Sequence, residues 1–482
     1  MLAEDKAEPE ATVGAHSFGR SITRQLLLGD LPCPRSGRPG ETRKAKAAAY
    51  LMLRMIITLL LSTIAASSSR AEQIAPPTPP SITEPAAAAT AAADTPATTQ
   101  PVPLNRMQAY AQAKALAAIG ARLFMDPHLS GSGQMACSSC HAPDNAFAQN
   151  NDRAVQLGGG DLHDAGLRAV PSLKYLQAVP QFSEHFFDSE DEADESVDNG
   201  PTGGLTWDGR ADSKMDQARI PLLSSFEMGN RSADDVVDAA DKGGYLVELA
   251  KILGPAATRD KAAAFNAVLL ALQVYQEDPA VFYPYDSKYD AYLAGKVALT
   301  PQEQRGLVAF TDENKGNCSS CHIAERALDG SAPQFTDYGL IAIGLPRNPA
   351  IPANSDPSHF DLGLCGPQRT DLKDHADYCG LFRTPTLRNV ATRHVFFHNG
   401  FIHSLRDAVA FYATRDSDPG RWYPKRADGS IDKFNDLPER YRGNLNTDPP
   451  FDDKPGHPQR LTDAEIDDIV AFLKTLTDGY RP

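Results

Sequence analysis

No methionine follows Met228, so more than half of this 482-residue chain can offer no thioether to a metal. Tryptophan is nearly missing as well: Trp207 and Trp422 are the only two. Strand-like alternation is scarce while Gly (35) and Pro (37) are plentiful, which argues against a sheet-rich fold and for helices joined by long loops. The longest apolar run falls short of the ~20 residues that a membrane-spanning helix requires. Basic side chains are outnumbered 47 to 62, a balance that argues against nucleic acid as a partner. With 41% hydrophobic and 23% charged residues, disordered and fibrous classes are excluded too.

Cysteine is scarce at seven, yet four of them fall in two identical pentapeptides, Cys137-Ser138-Ser139-Cys140-His141 and Cys318-Ser319-Ser320-Cys321-His322. This spacing attaches a c-type haem: each cysteine pair forms thioethers, and the adjacent histidine becomes the proximal iron ligand. A zinc half-site would need two further ligands at matching spacing, and a redox dithiol would not need the histidine. Two covalently bound haem c groups, one per domain, are therefore expected. Cys365 and Cys379 remain downstream, and in an oxidising compartment a disulfide closing that loop is their natural use.

An export segment fits that compartment. Arg54 precedes the apolar run Met55 to Ala66, and Ser69-Arg70-Ala71 offers small residues for cleavage. Contact with a membrane arises only if this segment stays uncleaved. Residues 1–71 thus form an over-extended start plus a signal peptide, and a periplasmic location follows. Without them the 47 basic residues fall to 37 and the 62 acidic ones to 56, a net charge of −19 that would suit a basic partner or serve solubility alone. The densest acidic stretch, Asp188 to Glu195, is expected to be a solvated loop. Residues 72–103 are rich in Pro, Ala and Thr and form a tether.

The remainder divides near Gly295 into an N-terminal haem domain, 104–295, and a C-terminal one, 296–482. The predicted fold is mainly α, two cytochrome c-like haem domains with long loops and little strand. A first helix is predicted over Leu104 to Met125. Thr300-Pro301-Gln302-Glu303 and Thr462-Asp463-Ala464-Glu465 read as capping boxes, the second opening a helix with Ile466, Ile469, Val470 and Leu473 on one face.

Three segments carry a family resemblance: Leu123 to Ala148; Trp207-Asp208-Gly209-Arg210-Ala211 leading to Glu227-Met228-Gly229; and Thr384 to Val390 leading to His398-Asn399-Gly400. With both haem motifs, they resemble the bacterial dihaem cytochrome c peroxidase and MauG family. The resemblance implies a peroxide site at the first haem, on His141, with Gln217 and Glu227 over its open face. A carboxylate suits that place, because peroxide must lose a proton on binding and its outer oxygen must gain one on leaving. Gln217 would orient the peroxide by a hydrogen bond. Trp207 would lie between the haems as an electron relay, standing ten residues before Gln217 and twenty before Glu227. The plainer alternatives are a helix-surface role for Glu227 and Gln217 and a core aromatic for Trp207.

Departures from the family pattern are equally informative. Where some members carry a histidine that closes the first haem, this chain has Leu157, or by a second count Asp161, with His163 two residues away. An open first haem is the favoured expectation. The second haem's distal ligand, a methionine in the family's cytochrome c peroxidases, falls on Tyr412, both four residues after Ala408 and fourteen after His398. A tyrosinate is a hard anionic donor that favours ferric and higher states, and this departure resembles MauG. The alternatives are a packed Tyr412 with His394, His398 or His403 as the ligand. Family members often bind calcium between the domains, but Ala169 replaces the Asn ligand, and Arg393 and Val395 stand at the two carbonyl positions. The calcium ligands are therefore in doubt.

Three functions follow. The first is a periplasmic enzyme that uses hydrogen peroxide and stores oxidising equivalents over both haems to oxidise a secreted protein partner. The second is a cytochrome c peroxidase fed by a small electron-donor cytochrome or copper protein. The third is an electron-carrier dihaem cytochrome c.

Overall fold

The computed structural model describes residues 104–185, 199–327, 329–454 and 459–482. The proposed signal peptide, the Pro/Ala/Thr-rich tether and the acidic run Asp188 to Glu195 lie outside them. Helices dominate, and the only paired strands among the described residues are two-residue pieces in two antiparallel pairs, β1 (Leu157–Gly158) with β2 (Asp164–Ala165), and β3 (Leu340–Ile341) with β4 (Phe382–Arg383). This is the mainly α architecture with little strand that the composition predicts. No described helix is long and apolar enough to cross a membrane.

The first helix, α1 (Arg106–Met125), begins one residue after Asn105, whose side chain accepts from the Gln108 N–H while Gln108 reaches back to the cap. Such a capping box satisfies amides that a helix start leaves unpaired. Further along the first half lie α2 (Lys214–Leu223), α3 (Ala233–Lys242), α4 (Tyr245–Leu253) and α5 (Lys261–Gln276). The second half holds α6 (Pro301–Thr311), α7 (Leu405–Thr414) and α8 (Asp463–Lys474). The boxes Thr300/Glu303 and Thr462/Glu465 open α6 and α8. Of the predicted α8 face, Ile466, Ile469 and Leu473 are buried and Val470 partly so.

Each half is built on one close helix crossing. In α1 a Cβ on Gly120 would stand 2.0 Å from the Ala271 carbonyl oxygen of α5, and in α6 a Cβ on Gly306 would stand 1.9 Å from that of Asp468 in α8. Only glycine lets backbones meet so closely. Four residues after each glycine comes a buried phenylalanine, Phe124 or Phe310. Phe124 packs edge-on against Phe147, and Phe310 against Phe335, with ring centroids 5.7 and 6.4 Å apart. The first hydrophobic core runs from Leu116 to Phe282 and the second from Tyr289 to Leu476. A smaller core around Leu364, Leu372 and Leu437 includes the Cys365–Cys379 disulfide.

Candidate functional site

The pentapeptides each form a single tight turn: the His141 N–H donates to the Cys137 carbonyl (2.9 Å), and the His322 N–H to that of Cys318 (2.8 Å). Both imidazoles are then oriented by the same device. His141 Nδ1 lies 2.9 Å from the Phe147 carbonyl oxygen, and His322 Nδ1 lies 2.9 Å from that of Phe335. Phe147 and Phe335 both adopt left-handed backbone, φ +53° and +54°, which turns these carbonyls toward the histidines. A donor Nδ1–H leaves Nε2 as the free lone pair, the arrangement of a metal-ligating histidine. Burial also keeps the rings neutral, pushing His141 down to about 4 and lowering His322.

Two cavities adjoin these histidines. The first, about 600 Å³, is lined by Cys137, Cys140 and His141, and the second, about 180 Å³, by Cys318, Cys321 and His322. All four cysteines are unpaired, whereas Cys365 and Cys379 form the predicted disulfide. Free sulfurs, a preset Nε2 and an apolar-walled cavity are what a covalently held haem c requires. The residues present therefore fit one such group in each half.

Gln217 and Glu227 both line the first cavity. Gln217 projects from α2, and Glu227 sits in the turn that follows, closed by a Gly229 N–H to Ser224 carbonyl bond of 2.9 Å. Gly229 has φ +66°, and a Cβ there would stand 2.9 Å from the Gly159 carbonyl carbon. The Gly159 N–H, just after β1, donates to the Glu227 carbonyl (2.8 Å) and so holds the turn against the end of that strand. Burial pushes the Glu227 carboxyl above the ordinary carboxylate range, against the pull of Ser224 and Arg210. Leu157 lines this cavity, while His163 does not and has a side chain 82% exposed, bonded through Nδ1 to the Asp161 carbonyl (2.6 Å).

Trp207 lines both cavities, as do Pro171, Ser172, Leu176 and Arg383. Its indole N–H donates to the Ala169 carbonyl at 2.8 Å, and its ring meets that of His398 edge-on at 6.4 Å. The loop carrying it is pinned by Arg168, which donates to Asp208 (2.7 Å) and to both carboxylate oxygens of Asp361 (2.6 and 2.7 Å). Burial alone would raise Asp208, but Arg168 and Arg210 overcome it and hold the carboxyl at about 2.

Tyr412, on α7, lines the second cavity together with His322. Its ring stacks on Phe451 (5.3 Å) and meets Phe397 (5.8 Å), while its hydroxyl has no hydrogen-bond partner among the described residues. Burial pushes its phenol pKa up. Of the competing histidines, His394 and His403 are exposed and line neither cavity. His398 does line the second, but its ring is stacked flat on Phe382 with centroids 3.4 Å apart.

At the proposed calcium position, the Ala169 carbonyl is taken by Trp207, and that of Val395 accepts from Arg393 Nε at 3.2 Å. No group of three or more His, Cys, Asp or Glu suited to a metal occurs among the described residues. Sequence reasoning missed the Phe147 and Phe335 carbonyls, the Arg168 network, and the roles of Arg383 and Arg393 in the cavity walls. The repeated Gly-x-x-x-Phe ahead of each haem motif marks the helix crossings and the rings packed on Phe147 and Phe335, not their carbonyls. The arginines carry no comparable mark.

Comparison with known proteins agrees with this geometry. A family described as di-haem cytochrome c peroxidase matches residues 114–298. The methylamine utilization protein MauG of Paracoccus denitrificans is 32% identical over 391 residues, covering 76% of this chain and 90% of that protein. The cytochrome c551 peroxidase of Pseudomonas aeruginosa is 28% identical, covering 61% and 70%. Among solved structures, the diheme peroxidase BthA of Burkholderia thailandensis superposes with TM-score 0.66 at 41% identity, covering 75% of this chain and 86% of that one. The chain belongs to the bacterial dihaem cytochrome c peroxidase and MauG family, and is an oxidoreductase carrying two covalently bound haem c groups.

Proposed function

We propose that this enzyme is MauG-like: it uses hydrogen peroxide at the N-terminal haem, stores oxidising equivalents over both haems, and oxidises a protein partner. The observation that carries this reading is Tyr412 in the wall of the cavity that holds His322, with no methionine in that wall. When bound, the haems supply iron that can surrender electrons to peroxide. Cys137, Cys140 and His141 would hold the first and Cys318, Cys321 and His322 the second, with Tyr412 available as a further ligand to the second. An anionic phenolate there disfavours the reduced state and favours retention of an oxidising equivalent.

Glu227 takes a proton from hydrogen peroxide and returns it to the leaving oxygen. Its raised pKa suits both halves of that task, since a shuttle works best when its pKa approaches the ambient pH. Gln217, in the same cavity, orients the peroxide. Trp207 relays electrons, a role supported by its presence in both cavity walls. The domain division 104–295 and 296–482 is supported by the two separate cores, which change over between Phe282 and Tyr289. A periplasmic location is supported by the disulfide and by the c-type motifs.

One experiment separates this reading from a cytochrome c peroxidase fed by a small redox protein. One equivalent of hydrogen peroxide added to the diferric protein should bleach both haem spectra without prior reduction. A response confined to the half-reduced protein would make the peroxidase the correct description.

A further inference from the structure

Buried arginines in this protein come with carboxylates. Arg168 has Asp208 and Asp361, Arg388 has Asp290, Arg415 has Asp416 and Arg369 has Asp371. Arg383 and Arg393 depart from that pattern. Neither has a carboxylate within ion-pair distance among the described residues: Asp208 acts on Arg383 only from farther off, and burial pushes both guanidinium groups down to about 10. Arg383 Nε donates to the Thr206 carbonyl at 3.1 Å. Arg393 donates through Nε to Val395 and through Nη2 to Val170, both at 3.2 Å. The remaining guanidinium nitrogens have no partner among the described residues. Both arginines line the second cavity, and Arg383 lines the first as well.

A buried cation with no carboxylate in contact is costly, and the cavity's own occupant can bring the negative charge that offsets it. Haem c brings two propionate carboxylates, the chemistry that a planar guanidinium grips bidentately. We propose that Arg383 and Arg393 are propionate-binding residues, each holding a haem carboxylate in the cavity it lines, Arg383 beside Trp207. The proximity to Trp207 has an electrostatic consequence. The Arg383 backbone N–H donates to the Trp207 carbonyl at 2.8 Å, which ties β4 to the loop that carries the relay. An unneutralised guanidinium there would oppose loss of an electron from the indole, and the propionate removes that obstacle. The inference rests on the two haems and not on Tyr412.

The test uses the haem-loaded protein with Arg383→Lys, Arg393→Lys and the corresponding Met variants. Each is read by the resonance Raman propionate-bending band and by spectroelectrochemical potential at alkaline pH, where a released propionate stays ionised. Losing a cation beside a haem stabilises its oxidised form, so the Met variants should lower one haem's reduction equilibrium about tenfold, ~59 mV for one electron. The Lys variants should keep the potential but shift the band, because an ammonium cannot form the bidentate fork. A wild-type band and potential in every variant overturns the proposal. If the Met variants do not load haem, the Lys band alone decides: a shifted band upholds the proposal and an unmoved one overturns it. Tyr412→Met serves as the control that should leave the band in place, which keeps failure here distinct from failure of the MauG-like reading.

Discussion

Glu227 combines a buried carboxyl with a place in the first cavity, and both properties bear on how fast peroxide reacts. Glu227→Gln keeps the shape but cannot accept a proton, so single-turnover reaction with peroxide should slow by ~100-fold or more. An unchanged stopped-flow rate would remove Glu227 from the mechanism. At the second haem, Tyr412→Met exchanges a hard anionic donor for a soft thioether that favours ferrous iron. The potential of that haem should rise, and a spectroelectrochemical titration checks it. Both residues could be picked from the chain by their offsets from recognisable motifs. Their burial could not, because desolvation depends on which remote segments cover a side chain, as the end of β1 packs against the Glu227 turn.

Gly120 and Gly306 show how an element's sequence can mislead. Helix propensity alone predicts that Gly→Ala in a helix interior stabilises by ~1 kcal/mol. At Gly306 a Cβ would meet the Asp468 carbonyl oxygen at 1.9 Å, where rigid backbone has nowhere to go. Gly306→Ala should therefore destabilise by about 1–3 kcal/mol, seen as a lower Tm by calorimetry. A Tm at or above that of the parent would show that α6 and α8 can separate without cost. Helix starts were legible here because Thr-x-x-Glu satisfies its own amides locally. The crossing of α1 with α5, and of α6 with α8, was not, since it joins segments more than a hundred residues apart in sequence.

Across the whole molecule, the Arg168 hub ties residues 168, 208 and 361 into one buried network beside the relay. Asp208 has a folded pKa of about 2, below the ordinary ~3.9. A lowered pKa gives stability that is full above the ordinary value and disappears as pH falls through the folded one. Asp208→Asn should thus cost on the order of 3–5 kcal/mol at neutral pH. The variant's stability should also fall less steeply than the parent's between about pH 4 and pH 2, measured by denaturant titration at each pH. Parallel pH profiles would show that Asp208 carries no such linkage. By itself the sequence determined the two haem attachments, the mainly helical class and the disulfide partners, because each is written in short-range spacing or in what little remains to pair. Only the tertiary structure decided that Trp207 borders both cavities, that His163 stays in solvent, and that Arg383 and Arg393 lack the carboxylates their neighbours have. Those properties depend on distances between remote segments, and a linear spacing rule holds no information about them.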